Sequence, residues 1–172
     1  MPAAEHERNV DALDIPRLGG YLADRIDSFG TLRTAEKFSG GQSNPTFLLE
    51  TDDARYVLRR KPPGILLRSA HAVDREFRVL TALAGSDVPV ARPLHLCEDP
   101  GVIGSAFYVM DFVDGRTFWR PDLPEVSSSE RAAAYDAMNR VLAAIHGVDV
   151  AAVGLADYGK PGNYFARQLA RW

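Results

Sequence analysis

Three short strand-like runs follow one another closely between residues 34 and 60, and they constrain the fold more than any other feature of the sequence. The breaks between them are a glycine-rich segment, Ser39–Asn44, and the pair Asp52 and Asp53. Breaks this short join antiparallel neighbours, because parallel strands need a long crossover connection. The sequence therefore predicts an antiparallel meander with strands at Ala35–Phe38, Thr46–Thr51 and Arg55–Arg60.

One helix and two more strands are predicted after this meander. Pro62–Gly64 breaks the chain, and residues 70–84 then place apolar side chains at helical spacing. Apolar runs at 90–96 and 106–113 are bounded by turn residues and are typical of strands. The expected fold class is therefore α+β, with a five-stranded antiparallel sheet and one inserted helix over residues 34–115.

Helical segments flank the predicted sheet. An amphipathic helix is predicted over residues 14–29, with Asp14 as its N-cap. Beyond the sheet, Ser127 and Glu130 form a capping-box pattern at the start of a long helix, and residues 163–172 are again helical in pattern. The expected organisation is a helical lead-in at 1–33, the α+β layer at 34–115 and a helical part at 116–172.

Composition and charge exclude several classes of function. The apolar fraction of 46% and the charged fraction of 25% are those of an ordinary globular protein. A net charge of -3 gives no general attraction to nucleic acids or anionic membranes. The single cysteine, Cys97, and the four histidines show no metal-ligand spacing, and no apolar run is long enough to span a membrane. We therefore expect a cytoplasmic protein that binds neither a membrane nor nucleic acid.

The glycine-rich segment is the first candidate binding element. Gly40 and Gly41 allow a bound group to approach the backbone closely, and the Ser43 hydroxyl and Asn44 amide can add hydrogen bonds to phosphate oxygens. An ordinary hairpin turn uses glycines in the same way, so the segment by itself leaves both interpretations open. It is not a Walker A loop, because no Gly-Lys-Ser/Thr follows.

A cation near the end of the third run and an acid on the following helix form the second candidate. Strand alternation places Arg59 and Arg60 on opposite faces. Glu76 lies at the edge of the apolar helix face, where it can hold a cation against nucleotide phosphates. Taken alone, the same residues are also typical of a solvated strand end and helix surface.

The end of the fifth run is the third candidate. Met110, Asp111, Phe112 and Val113 connect the sheet to the helical part of the chain. Backbone groups beyond Met110 can read the edge of an adenine ring there. An edge strand of the core is the alternative interpretation.

The order of these features resembles the N-terminal lobe of the protein-kinase-like fold, followed by the first helices of an incomplete helical C-terminal lobe. The residues are similar to the aminoglycoside phosphotransferase / choline kinase-like family, and in particular to the branch that also occurs fused to acyl-CoA dehydrogenase domains. The similar segments are Phe38–Thr46, Tyr56–Gly64, Ala70–Glu76, Phe107–Asp111 and Tyr164–Trp172. The resemblance therefore extends from about Glu36 to Trp172.

This resemblance implies ATP-dependent phosphoryl transfer to a hydroxyl group of a small metabolite. The positions that match the family's nucleotide site are Gly40, Gly41, Ser43, Asn44, Arg59, Glu76, Met110, Asp111, Phe112 and Val113. Arg59 matches the lysine that contacts nucleotide phosphates, and Glu76 matches the partner of that lysine. Arginine at this position is a departure from the family, so Arg60 and Lys61 stay open as alternatives.

The family also uses groups that are expected to be missing from this sequence. Its members carry a His-Gly-Asp-x-x-x-x-Asn loop with the catalytic base and a further metal-binding aspartate. The similar stretch His146–Asp149 lacks the asparagine, because Gly154 stands at that offset, and Asp157 follows too closely. We expect no catalytic residue and no metal ligand here, Mg²⁺ only in a longer protein, and no kinase activity from this chain alone.

Two functions remain open from the sequence. The first is the N-terminal portion of a small-molecule phosphotransferase, whose nucleotide is ATP or another nucleoside triphosphate. The alternative is a non-catalytic nucleotide-binding or regulatory module built on a kinase-like lobe. The uncapped apolar helix before Trp172 favours the first and is also expected to support self-association. The acceptor stays open between an aminoglycoside, a hydroxylated acyl compound and another metabolite.

Overall fold

A computed structural model describes residues 13–39, 43–62, 71–159 and 162–172. Gly40 and Gly41, which are candidate phosphate-loop residues, lie outside these ranges. The elements in chain order are α1 (Ile15–Ala23), β1 (Leu32–Lys37), β2 (Thr46–Thr51), β3 (Arg55–Arg60), α2 (Val73–Leu83), β4 (Pro93–Cys97), β5 (Phe107–Asp111), α3 (Ser128–His146) and α4 (Tyr164–Leu169).

The five strands form one antiparallel sheet in the order β1-β2-β3-β5-β4. The predicted α+β layer is confirmed, and the first three strands form the expected meander. β5 is inserted between β3 and β4, which places β4 at the sheet edge. β5 ends at Asp111, earlier than predicted, because its partner β3 begins at Arg55 and the last pair in register is Tyr56 with Asp111.

Helix α1 covers one face of this sheet. It begins as predicted, since the Asp14 carboxylate accepts a hydrogen bond from the Arg17 N–H at 3.0 Å. The prediction that it extends to residue 29 is wrong, because the helix ends at Ala23. Ser28 and Gly30 adopt left-handed backbone angles, with φ of 59° and 73°, which an α-helix cannot contain.

The sheet has a core face and an opposite face. Alternate residues of a strand point to opposite sides, so Leu58 faces the core while Val57 and Arg59 face away from it. Tyr108 and Met110 of β5 lie on the same outer face as their partners Arg59 and Val57. The core cluster consists of Leu18, Leu22, Ile26, Phe29, Leu32, Phe47, Leu49, Tyr56, Leu58, Cys97, Phe107 and Val109.

The described chain divides into two compact units. The first holds the described residues up to Thr81 together with Val90–Thr117, and the second holds Ala82–Pro89 and Phe118–Trp172. Within the second unit, α3 begins with the predicted capping box. Ser127 Oγ accepts from the Glu130 N–H at 3.2 Å, and the Ser127 N–H donates to Glu130 Oε2 at 2.9 Å. None of the helices that the structure describes is long and apolar enough to cross a membrane.

Candidate functional site

An ion pair between β3 and α2 lies on the outer sheet face, near the end of the central strand. Arg59 Nε is 2.8 Å from Glu76 Oε2, and about a third of each side chain is exposed. The two atoms are close in distance, although the direction of the Nε–H bond does not meet the geometry of a hydrogen bond. Exposed pairs of this kind contribute little to stability, so its main effect is to hold a positive charge in a defined place.

Two further side chains hold the Glu76 carboxylate. Asn44 Nδ2 donates to Glu76 Oε1 at 2.9 Å, and the Tyr108 hydroxyl donates to Glu76 Oε2 at 3.1 Å. Burial raises the pKa of Tyr108, and the Glu76 charge raises it further, so the phenol keeps its proton and remains a donor. Groups from β3, β5 and the segment before β2 therefore converge on one carboxylate of α2.

Asn44 has a second partner that lies just before α2. Its Oδ1 atom is 2.9 Å from His71 Nδ1, and the Asn44 side chain is buried, with 4% of the residue exposed. Neither His71 nor Tyr108 was among the candidate residues from the sequence. The register of β3 and β5 brings Tyr108 opposite Arg59. That register cannot be predicted from the sequence, because the two strands are far apart along the chain. His71 does lie within Ala70–Glu76, one of the segments that resemble the family, and this resemblance was the feature of the sequence that could have identified it.

The two other candidate cations lie elsewhere. Arg60 is on the core face, where it is 3% exposed and its guanidinium lies 5.4 Å from the centre of the Phe47 ring. Lys61 Nζ is 3.6 Å from Asp74 Oδ1. Strand alternation thus separates Arg59 from Arg60, and of these three residues Arg59 contacts Glu76.

Part of the predicted connector shares the outer face with Arg59. Met110 pairs with Val57, and Val57 pairs with Leu48, so these three side chains form an apolar strip beside the ion pair. Asp111 points to the other face, because its cross-strand partner is the core residue Tyr56.

The remaining connector side chains have other contacts or are exposed. The Arg92 guanidinium donates to both carboxylate oxygens of Asp111, at 2.8 and 3.3 Å. The Phe112 ring lies 4.3 Å from the Arg55 guanidinium carbon, and Val113 is 68% exposed. For Asp111, Phe112 and Val113, the backbone rather than the side chain is therefore the candidate binding group.

The chemistry of this face suits an anion joined to a flat apolar group. Arg59 supplies a positive charge, Glu76 holds it, and the exposed Ser43 and the buried Asn44 lie in the segment before β2. Among the residues that the structure describes, no group of three or more histidine, cysteine, aspartate or glutamate side chains could hold a metal ion. The described side chains on this face therefore combine one held positive charge with neighbouring apolar surface.

Comparisons with known proteins identify a phosphotransferase-family domain. The sequence pattern of the phosphotransferase enzyme family matches residues 34–172. The chain is 51% identical to the probable acyl-CoA dehydrogenase IBR3 of Arabidopsis thaliana, over 96% of the chain and 21% of that protein. It is 48% identical to acyl-CoA dehydrogenase family member 10 of Mus musculus, over 100% of the chain and 16% of that protein.

One solved structure is similar in both fold and sequence. It is the crystal structure of a candidate aminoglycoside phosphotransferase from Ralstonia eutropha JMP134, with a TM-score of 0.79 and 52% sequence identity. The similarity covers 94% of this chain and 46% of the solved chain. The chain therefore spans less than half of the solved protein, and 21% and 16% of the two curated relatives.

Proposed function

The chain belongs to the phosphotransferase enzyme family, and on that premise we propose that it forms the nucleotide-binding part of an ATP-dependent kinase for a small-molecule hydroxyl group. Membership and the shared fold confirm the resemblance stated from the sequence. The observation that carries the proposal is the Arg59–Glu76 ion pair, at 2.8 Å on the outer face of the sheet. The activity of the longer protein is part of the proposal, because the chain spans only a portion of its relatives.

The phosphate end of the nucleotide lies against Arg59 in this proposal. Phosphoryl transfer depends on positioning and on neutralising negative charge, and a guanidinium held by Glu76 does both. Arginine offers a planar fork of donors where the family has a lysine, so it can bridge two phosphate oxygens. Ser43 is exposed directly before Asn44, and in this proposal its hydroxyl adds a further hydrogen bond to a phosphate oxygen.

The base end of the nucleotide lies against the apolar strip formed by Leu48, Val57 and Met110. A planar adenine buries apolar surface on such a strip, while backbone N–H and C=O groups beyond Met110 can read its polar edge. The distance along β3 supports this arrangement, because Val57 and Arg59 lie two residues apart on one face.

Bound ATP supplies the phosphoryl group, and the residues described here orient it. Among the described residues no group of three or more histidine, cysteine, aspartate or glutamate side chains could hold a metal ion, and the proposal places the Mg²⁺ ligands in the longer protein. For the acceptor we propose a hydroxylated acyl compound, because the relatives are named acyl-CoA dehydrogenases, with an aminoglycoside as the alternative, because the solved neighbour is named a candidate aminoglycoside phosphotransferase. Both are metabolites that carry hydroxyl groups, as the proposal requires.

The proposal is tested by nucleotide binding to the 172-residue chain. Titration with ATP and Mg²⁺ should raise its Tm, and a ligand at a hundred times its Kd stabilises a protein by about 2.7 kcal/mol. Arg59→Ala should weaken binding about tenfold or more, because a charge-assisted contact is lost, whereas Arg59→Lys should keep part of the affinity.

Arg33→Ala is the matched control. Arg33 of β1 pairs with Asp52, which lies between β2 and β3. This pair is at the opposite end of β3 from Arg59, so the loss of Arg33 should leave ATP affinity unchanged. Binding that is absent in the wild-type chain, or unaffected by Arg59→Ala, would contradict the proposal. Binding without phosphoryl transfer in the longer protein would instead support a non-catalytic nucleotide-binding module.

A further inference from the structure

We infer that Asn44 and His71 are positioning residues of the phosphate site and not phosphate ligands. The side chain of Asn44 joins His71 to Glu76, and through Glu76 it determines where the Arg59 guanidinium lies. This inference rests on the proposed function for the role of Arg59, while the geometry of the four side chains stands by itself. It also changes the expectation for Asn44, which the family resemblance assigned to the phosphate-covering loop.

Both ends of the Asn44 amide are already in use. Nδ2 donates to Glu76 Oε1 at 2.9 Å, and Oδ1 lies 2.9 Å from His71 Nδ1. The residue is 4% exposed, so a solvent-borne ligand has little access to either atom. The backbone is held as well, because the Thr46 hydroxyl donates to the Asn44 carbonyl at 3.0 Å.

The direction of these hydrogen bonds determines the tautomer of His71. A carboxylate only accepts, so the amide atom facing Glu76 is the NH₂ group and the atom facing His71 is the carbonyl oxygen. Since that oxygen also only accepts, His71 Nδ1 must carry a hydrogen. The chain of donors therefore runs from His71 through Asn44 to Glu76, which is the residue that contacts Arg59.

The backbone of His71 supports a specific role for its side chain. Its φ of 61° lies in the left-handed region, which glycine adopts most readily and which asparagine, aspartate and histidine adopt more often than the other residues. The His71 carbonyl accepts from the Val73 N–H at 3.0 Å, at the first residue of α2. His71 is therefore held directly before α2 both by its backbone carbonyl and by the contact of its ring with Asn44.

The first experiment reads this geometry without any nucleotide. Nitrogen NMR of the wild-type chain should show the neutral His71 ring with its hydrogen on Nδ1. In Asn44→Ala the acceptor is gone, so the ring should change towards the Nε2–H form, and the Arg59 Nε resonance should shift. A wild-type His71 with its hydrogen on Nε2, or a ring unaffected by Asn44→Ala, would overturn the inference.

The second experiment separates a positioning role from backbone strain. His71→Gly and His71→Asn both tolerate the left-handed angle, but only asparagine restores a donor at the place of Nδ1. With His71→Gly, ATP affinity should fall about threefold to tenfold, the range expected for one lost hydrogen bond, and the Arg59 Nε resonance should shift. With His71→Asn, affinity and resonance should both return towards the wild-type values.

The outcomes distinguish this inference from the proposed function. Equal affinities for wild type, His71→Gly and His71→Asn, with an unchanged Arg59 resonance, would overturn the positioning role. If the wild-type chain binds no ATP, the proposed function fails, and the His71 tautomer and the Arg59 resonance still decide whether Asn44 connects His71 to the ion pair. Ser43→Ala is the control variant, since Ser43 is exposed and should leave the His71 tautomer unchanged.

Discussion

At the scale of single residues, the Glu76 carboxylate shows how few side chains define the candidate site. Arg59, Asn44 and Tyr108 approach its two oxygens at 2.8, 2.9 and 3.1 Å. Each of these three comes from a different part of the chain, so none is close to Glu76 in sequence. Their convergence holds the Glu76 carboxylate in one orientation. The Arg59 guanidinium beside it is therefore held in a defined position.

His95 is the residue that should make the stability of the first unit depend on pH. Burial lowers the pKa of His95, and the nearby positive charge of Arg25 lowers it further. The histidine pKa in the unfolded chain is about 6.5, so as the pH falls the unfolded chain binds the proton at a higher pH than the folded chain does. The contribution to the free energy of unfolding is therefore present above about pH 6.5 and is lost as the pH falls below that value.

This dependence is measured by urea unfolding at a series of pH values between neutrality and about pH 5, above the range in which carboxylates titrate. In His95→Gln, the free energy of unfolding should decrease less steeply as the pH falls. Tyr21→Phe is a comparison variant, because it removes the hydroxyl that lies 3.1 Å from His95 Nε2 but keeps the partly buried aromatic ring. That variant should still lose stability as the pH falls, because the burial of His95 remains. A free energy of unfolding that does not change with pH in the wild-type chain would show that His95 burial has no such effect.

At the scale of elements, adjacent residues of one strand or helix meet different surroundings. Arg59 and Arg60 are neighbours in β3, yet one contacts Glu76 and the other lies over the Phe47 ring on the core side. Burial of a charged side chain such as Arg60 is unusual, because charged groups are normally exposed unless they are paired. The period of two along a strand accounts for this difference between the two arginines.

A pair of glycines in α1 provides a test at this scale. A Cβ added at Gly20 would meet no atom within 4 Å, whereas one added at Gly19 would lie 3.0 Å from Leu32 Cβ. Gly20→Ala should therefore stabilise the protein by about 0.5 to 1 kcal/mol, the helix-propensity gain of alanine over glycine. Gly19→Ala should lose that gain to the close contact with β1.

The measurement is the free energy of unfolding of both variants under the same conditions. The two substitutions make the same chemical change one residue apart, so each serves as the control for the other. Equal effects of the two variants would contradict the packing of α1 against Leu32.

At the scale of the whole molecule, the first unit contains the buried core and the second unit exposes apolar side chains. Four residues in and beside α4 are more than half exposed: Tyr164 at 61%, Phe165 at 80%, Leu169 at 81% and Trp172 at 99%. Apolar groups that lie together on a surface favour association with another apolar surface. We propose that this chain self-associates through α4.

Sedimentation velocity over a range of protein concentrations tests that proposal. The wild-type chain should show a concentration-dependent sedimentation coefficient, and Leu169→Glu should reduce the dependence by removing an apolar contact and adding a charge. Gln168→Glu adds the same charge at the neighbouring position without removing an apolar side chain, so it should retain most of the association. A wild-type chain that is monomeric at all concentrations would exclude self-association.

Much of the fold could be predicted from local patterns in the sequence. The three-stranded meander, the capping box at Ser127 and the N-cap at Asp14 depend on residues a few positions apart, and the structure contains all three. The end of α1 was predicted wrongly, because Ile26 and Phe29 are core residues at helical spacing that are in fact placed by turns. Apolar spacing alone does not distinguish these two ways of burying a side chain.

By itself, the sequence determined the α+β class, the order of the elements and the family, because these depend on local periodicity and on motif order along the chain. Only the tertiary structure decided the insertion of β5 between β3 and β4, which brings Tyr108 opposite Arg59. It also decided that Asn44 is buried between His71 and Glu76. Contacts of this kind depend on strand register and on packing between distant segments, and no local pattern specifies either of them.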